Sequence, residues 1–154
     1  MFVFDSSAYI NGSKNHFLPE IMPGVWGLVD QAIEDGRIIL PREVYREVEH
    51  QDDDIRAFLA KHQSKVVEPS EGVQKRAGEI GAEFPRNGIR NGADPFILAE
   101  AEARGFTVVT YEGTNFSGGR AKRWHRSMPS VCDRFDIPCC TLPDALRELG
   151  LYLE

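Results

Sequence analysis

The stretch Asp94-Pro95-Phe96-Ile97-Leu98-Ala99-Glu100-Ala101-Glu102-Ala103-Arg104-Gly105-Phe106-Thr107-Val108-Val109-Thr110 reads as a helix handed directly to a strand. Residues 96–104 form the most apolar helical run of the chain, opened by Asp94-Pro95. Gly105 ends it, because glycine accepts the left-handed conformation that helix C-termini favour. Residues 106–110 follow at once and are aromatic or β-branched, which suits a strand.

The same alternation extends in both directions. Phe2-Val3-Phe4 is a short apolar run closed by Asp5-Ser6-Ser7, a buried strand entering a polar turn. Ile21, Val25, Leu28, Val29, Ala32 and Ile33 recur at helical spacing and stop at Gly36. Residues 37–40 make the next strand, and Pro41 starts a helix where its missing N–H costs nothing. Residues 52–61 read as a short helix and 66–67 as a weak strand. Ser70 is placed to cap a helix carrying Val73, Ala77, Ile80 and Phe84. Residues 85–93 and 111–127 are irregular loops, 131–135 a helix, 139–141 a last strand and 143–149 a closing helix. Strands that alternate with helices throughout predict a sheet covered on both faces. The expected fold is α/β: a three-layer α/β/α sandwich with a central, mostly parallel five-stranded sheet, residues 1–154 forming a single domain.

Bulk properties narrow the function. With 154 residues the chain can bury a sizeable core. A net charge of −6 excludes nucleic-acid binding through bulk positive field, although a metal ion can supply positive charge locally. Cys132, Cys139 and Cys140 are odd in number and make no C-x-x-C pair, so neither a zinc site nor a disulfide framework is expected. Reduced thiols, the absence of a signal-peptide pattern and apolar runs too short to span a bilayer predict a cytoplasmic protein without a membrane partner.

Four acidic residues then stand out. Asp5, Glu47, Asp94 and Glu112 each fall where a strand has ended or a helix has begun. In open α/β sheets, ligands collect beyond the carboxyl ends of the strands. Each acid has a plain explanation alone: a turn cap for Asp5, a solvated helix face for Glu47, a helix cap for Asp94, an exposed loop for Glu112. Gathered in one crevice they would repel one another unless a cation sits between them. At about 100° per residue, Glu47 lies roughly 60° from Val44 and so flanks the apolar stripe of Val44, Tyr45 and Val48. Glu49 lies at the opposite border, and spacing alone does not choose between them.

Asp5-Ser6-Ser7 after one strand, Pro41-x-x-Val44-x-x-Glu47 after another, Gly92-Ala93-Asp94-Pro95-Phe96, and Val108-Val109-Thr110-x-Glu112 together resemble the four motifs of PIN-domain nucleases. Within that family they are similar to the VapC-like toxin branch of small bacterial and archaeal ribonucleases. Two features depart from the pattern: Glu112 stands where Asp is usual, and residues 12–23 are longer and more irregular. The resemblance implies that Asp5, Glu47 and Asp94 hold Mg²⁺ or Mn²⁺, directly or through water. Glu112 would hold a second ion or a bridging water. Ser6 or Ser7 would orient Asp5 or a water, and Thr110 would act similarly. An all-oxygen donor set favours such hard cations over zinc. The implied activity is endoribonuclease cleavage by metal-activated water, leaving 5′-phosphate and 3′-hydroxyl ends. A cognate antitoxin and a second copy of the chain are the protein partners it implies.

Arg120, Lys122, Arg123, Trp124, His125 and Arg126 form the one strongly basic segment. Phosphate attraction with a stacking aromatic suits single-stranded RNA, and a solvated loop explains the segment equally well. Two rival functions remain. A haloacid-dehalogenase-type phosphatase needs a second Asp two positions after Asp5, where Ser7 stands. A catalytically silent PIN-like scaffold would lose acids, yet all four positions are acidic.

Overall fold

Among the described residues five short strands lie side by side: β1 (Phe2–Phe4), β2 (Ile38–Pro41), β3 (Val66–Val67), β4 (Thr107–Thr110) and β5 (Cys139–Thr141). The computed structural model describes residues 1–51, 53–83, 92–111 and 128–150. Among the described residues every pairing is parallel, in the order β3-β2-β1-β4-β5, which gives the expected five-stranded parallel sheet. Val3 sits opposite Ile39 on one side and Val108 on the other, which makes β1 the central strand. Phe2, Val3, Phe4, Val108 and Val109 are buried, as expected of strands covered on both faces.

The α-helices among the described residues are α1 (Ser6–Asn11), α2 (Pro23–Glu34), α3 (Arg42–Glu49), α4 (Asp53–Ala60), α5 (Glu71–Glu83), α6 (Asp94–Arg104), α7 (Met128–Arg134) and α8 (Leu142–Leu149). Among them α2 packs against α8, while α6 lies along β1, β2 and β4 with α5 outside it. Ala99 and Ala101 give α6 the slimness needed between the sheet and α5, and both are buried. Gly105 closes α6 at φ 67°, in the left-handed region that favours glycine.

Several local expectations shift. Asp5-Ser6-Ser7 is not a plain turn: Asp5 caps α1, which runs on into a π-helical turn over Gly12–His16. The six residues of α1 carry too few apolar positions to show a helical period in sequence. Pro41 ends β2, paired with Val67, and serves as N-cap of α3 instead of its first helical residue. Ile21 precedes α2 and is 71% exposed, so it does not belong to the buried stripe. Asp94 is also shifted. The N-cap of α6 falls on Ala93, which has helical φ and ψ and accepts the N–H of Ile97, leaving Asp94 inside the first turn.

The strand order creates the crevice that matters. The chain lays β2 and β3 on one side of β1, then returns to place β4 and β5 on the other. The switch point therefore lies between β1 and β4, where successive connections leave the sheet in opposite directions. Asp5 and Tyr111 are the residues just beyond those two strands.

Candidate active site

Asp5 extends the β1 ladder by one bond, its N–H donating to the Val109 carbonyl at 2.9 Å. Its carboxylate is buried, at 5% exposure, and accepts from two donors that follow it in sequence. The Ala8 N–H reaches Oδ1 at 2.9 Å and the Ser7 hydroxyl reaches the same oxygen at 2.5 Å. Capping thus explains why the chain turns here, and it also fixes the carboxylate over the end of β1.

Ser7 is a junction. Besides donating to Asp5, its Oγ accepts the Tyr111 N–H at 3.2 Å and stands 3.4 Å from Oγ1 of the buried Thr110. The ends of β1 and β4 are therefore tied by one hydroxyl. Ser6 turns the other way: its hydroxyl donates to Oε1 of Glu47 at 2.6 Å. Ser7 is thus the serine bonded to Asp5, while Ser6 holds Glu47, a contact that the sequence did not suggest.

Glu47 also reaches the start of α6, where the Ala93 N–H donates to Oε2 at 3.2 Å. A Cβ on Gly92 would stand 3.2 Å from that same oxygen, so glycine there permits the close approach. Glu47 is half-buried and Glu49 exposed, which separates two residues that spacing alone did not. Asp94 follows Ala93 directly and is half-buried in the first turn of α6.

Beneath these acids lies a fully buried thiol. A hydrogen bond with Cys139 and burial push Cys132 far above the usual thiol range, and the charges of Asp5 and Asp94 add to the effect. Both aspartates therefore act on one buried point. Tyr9 is buried too, its hydroxyl pushed up by burial first and by the Asp5 charge second. Among the described residues its oxygen is buried without a hydrogen-bond partner.

The structure thus brings Asp5, Ser6, Ser7, Glu47, Thr110 and the α6 N-terminus together at the switch point. Among the described residues, no three His, Cys, Asp or Glu side chains form a group placed to hold a metal ion by themselves. Glu112 and the basic segment with Arg120, Lys122, Arg123, Trp124, His125 and Arg126 lie outside the described residues. The donor set remains compatible with a hard cation. It is all oxygen, and Mg²⁺ commonly takes one or two carboxylates and keeps several waters instead of demanding a protein cage. A carboxylate offers about four acceptor positions, so the two hydrogen bonds to Glu47 do not exhaust it.

The backbone N–H of Ala93 and the close approach at Gly92 were not anticipated as contacts to Glu47. The signal available was the glycine itself, directly before Ala93-Asp94. Nothing in sequence linked His16 to Tyr111, whose polar side-chain atoms stand 2.6 Å apart across 95 positions.

Residues 2–153 match the model of a family described as Domain of unknown function (DUF4411). No curated protein matches the chain. Among solved structures, the fold is similar to a chain in the crystal structure of VapBC2 from Rickettsia felis bound to a DNA fragment from their promoter. The similarity covers 92% of this chain and 98% of that one, with a TM-score of 0.53 and 16% sequence identity. At that identity it speaks for the fold alone, an α/β architecture on a five-stranded parallel sheet. Among the described residues no helix is long and apolar enough to cross a membrane.

Proposed function

The chain belongs to the DUF4411 family, and we propose that it is a metal-dependent endoribonuclease, the toxin of a toxin–antitoxin pair. The observation that carries this reading is the Ser6–Glu47–Ala93 bridge, which draws a carboxylate from α3 to the Asp5 end of β1 and the Asp94 end of α6. The segments that carry Asp5, Glu47 and Asp94 are thus tied together beyond the carboxyl ends of the strands, where an open parallel sheet binds its ligands. The four sequence motifs and the likeness to a VapBC2 chain point the same way.

Each residue has a definable task. Asp5, Glu47 and Asp94 would hold Mg²⁺ or Mn²⁺, with Glu112 beyond Tyr111 as a fourth carboxylate. Such an ion supplies Lewis acidity for phosphodiester hydrolysis and offsets the negative charge of phosphate and carboxylates. Ser7 and the Ala8 N–H hold Asp5 in one orientation, while Ser6 and the Ala93 N–H hold Glu47. Asp5 and Asp94 both sit at helix N-termini, whose partial positive charge offsets some of their mutual repulsion. The basic segment around Arg120, Lys122, Arg123, Trp124 and Arg126 would contact the RNA backbone, and an antitoxin would mask the crevice.

The expected result is that Asp94→Asn reduces RNA cleavage in Mn²⁺ to background while its circular dichroism matches the wild type. EDTA should stop the wild-type reaction. Equal cleavage by the variant and the wild type would remove the assignment. The rival reading, a PIN-like binding module without chemistry, draws on the lack of a three-ligand metal group among the described residues. It predicts no metal-dependent cleavage by any form of the protein, so the same assay separates the two.

A further inference from the structure

One surface feature beside the acids has no part in the reading above. Tyr111 is the first residue beyond β4, and its backbone N–H donates to the Ser7 hydroxyl that holds Asp5. The Tyr111 backbone is therefore fixed next to the hydroxyl that holds Asp5, while its ring makes a separate contact. The Tyr111 hydroxyl stands 2.6 Å from Nδ1 of His16. The two ring centroids are 5.3 Å apart with planes inclined at 55°. His16 is exposed and Tyr111 half-exposed, so the paired rings form part of the rim and not of the core.

His16 reaches this place through an unusual backbone. It ends the π-helical turn Gly12–His16, in which the Phe17 N–H donates to the Gly12 carbonyl at 2.8 Å. Turns of this type are rare and concentrate at functional sites, because the wider turn redirects the residues that follow it. Here the turn is held from both ends. A Cβ on Gly12 would come within 2.6 Å of Leu142 Cδ2, so glycine permits the close packing at its start. At its exit the Trp26 indole N–H donates to the Phe17 carbonyl at 2.5 Å. A tightly secured irregular turn thus delivers one exposed imidazole to one tyrosine beside the carboxylates. Core packing does not require this pairing, since both rings lie at the surface.

We propose that His16 and Tyr111 form a stacking platform for a base of single-stranded RNA, set beside the Asp5 carboxylate. The inference rests on the ribonuclease reading and adds to it the way the strand is seated. Every base has a π-face, so a tyrosine ring held in one orientation accepts bases with little sequence preference. Contact with His16 pre-orients the ring, which lowers the entropic cost of ordering it on binding.

The test compares wild type, Tyr111→Ala, Tyr111→Phe and His16→Ala on a short fluorescein-labelled oligoadenylate, measuring kcat and KM in Mn²⁺ over a range of salt. Loss of the ring should raise KM by about 5- to 100-fold, from the size of base–aromatic stacking contributions. Tyr111→Phe should stay closer to wild type, because it keeps the π-face. The salt slope of KM should be unchanged in Tyr111→Ala, since no phosphate contact is removed. Thermal unfolding of each variant checks that it is folded, and His16→Ala, an exposed change, serves if Tyr111→Ala is not. An active wild type with unaltered KM in Tyr111→Ala and His16→Ala would overturn the platform alone. A shallower salt slope in Tyr111→Ala would also overturn it, by assigning Tyr111 to the phosphates. A wild type that cleaves no RNA would overturn the ribonuclease reading, and the platform with it.

Discussion

Glu47 accepts hydrogen bonds from two segments that lie 41 and 46 positions away, the Ser6 hydroxyl and the Ala93 N–H. Each bond addresses a different carboxylate oxygen, so the group is held against rotation as well as displacement. Ser6→Ala removes one of these restraints without removing a carboxylate. Outer partners of ligating carboxylates are typically worth about 10- to 100-fold in metal affinity or activity. Ser6→Ala is therefore expected to need more Mn²⁺ for half-maximal cleavage, with near-normal turnover at saturating metal. A metal titration of the cleavage rate checks this, and an unchanged midpoint would mean that Ser6 does not position Glu47. The acids were visible in sequence because carboxylates at strand and helix ends form a pattern. The division of labour between Ser6 and Ser7 was not, because adjacent residues at the start of α1 point in directions that only the helix defines.

At the scale of elements, the π-helical turn shows a glycine chosen for space. Gly12 has φ −59°, ordinary helical geometry that alanine would accept readily. The obstacle is Leu142, 1% exposed, whose Cδ2 would lie 2.6 Å from an added Cβ. A core leucine cannot swing into solvent, so Gly12→Ala should cost about 1–3 kcal/mol as an overpacked contact. The midpoint of urea unfolding should fall accordingly, and a wild-type midpoint would show that the turn yields easily. The strand beginning at Thr107 and the helix ending at Arg104 were legible because apolar periodicity, Gly105 and β-branched residues agree. The helix α1 and the π turn were not, since their burial comes from contacts with α3 and α8-side residues and not from a local period. The start of α6 lies one residue earlier: Asp-Pro is a good cap in isolation, but the Ala93 carbonyl already accepts the Ile97 N–H.

For the whole molecule, the core runs without a break from Phe2 and Val3 through Leu40, Leu98 and Val109 to Leu146. Elements that share one core are expected to unfold together. Urea unfolding followed by far-ultraviolet circular dichroism and by tryptophan fluorescence should give coincident curves. Trp26 reports from the core, where it is 4% exposed; separated transitions would show that part of the chain melts independently. The sequence by itself determined the class of fold, because helix and strand periods and their punctuation are local properties of the chain. It also marked the acids that end those elements. Only the tertiary structure decided that β1 lies between β2 and β4, that every strand runs parallel, and that the crevice opens above β1 and β4. Those features depend on pairings between residues far apart in sequence, such as Ser7 with Tyr111 across 104 positions. Such contacts form only when many elements bury a common core, and no local pattern encodes their order.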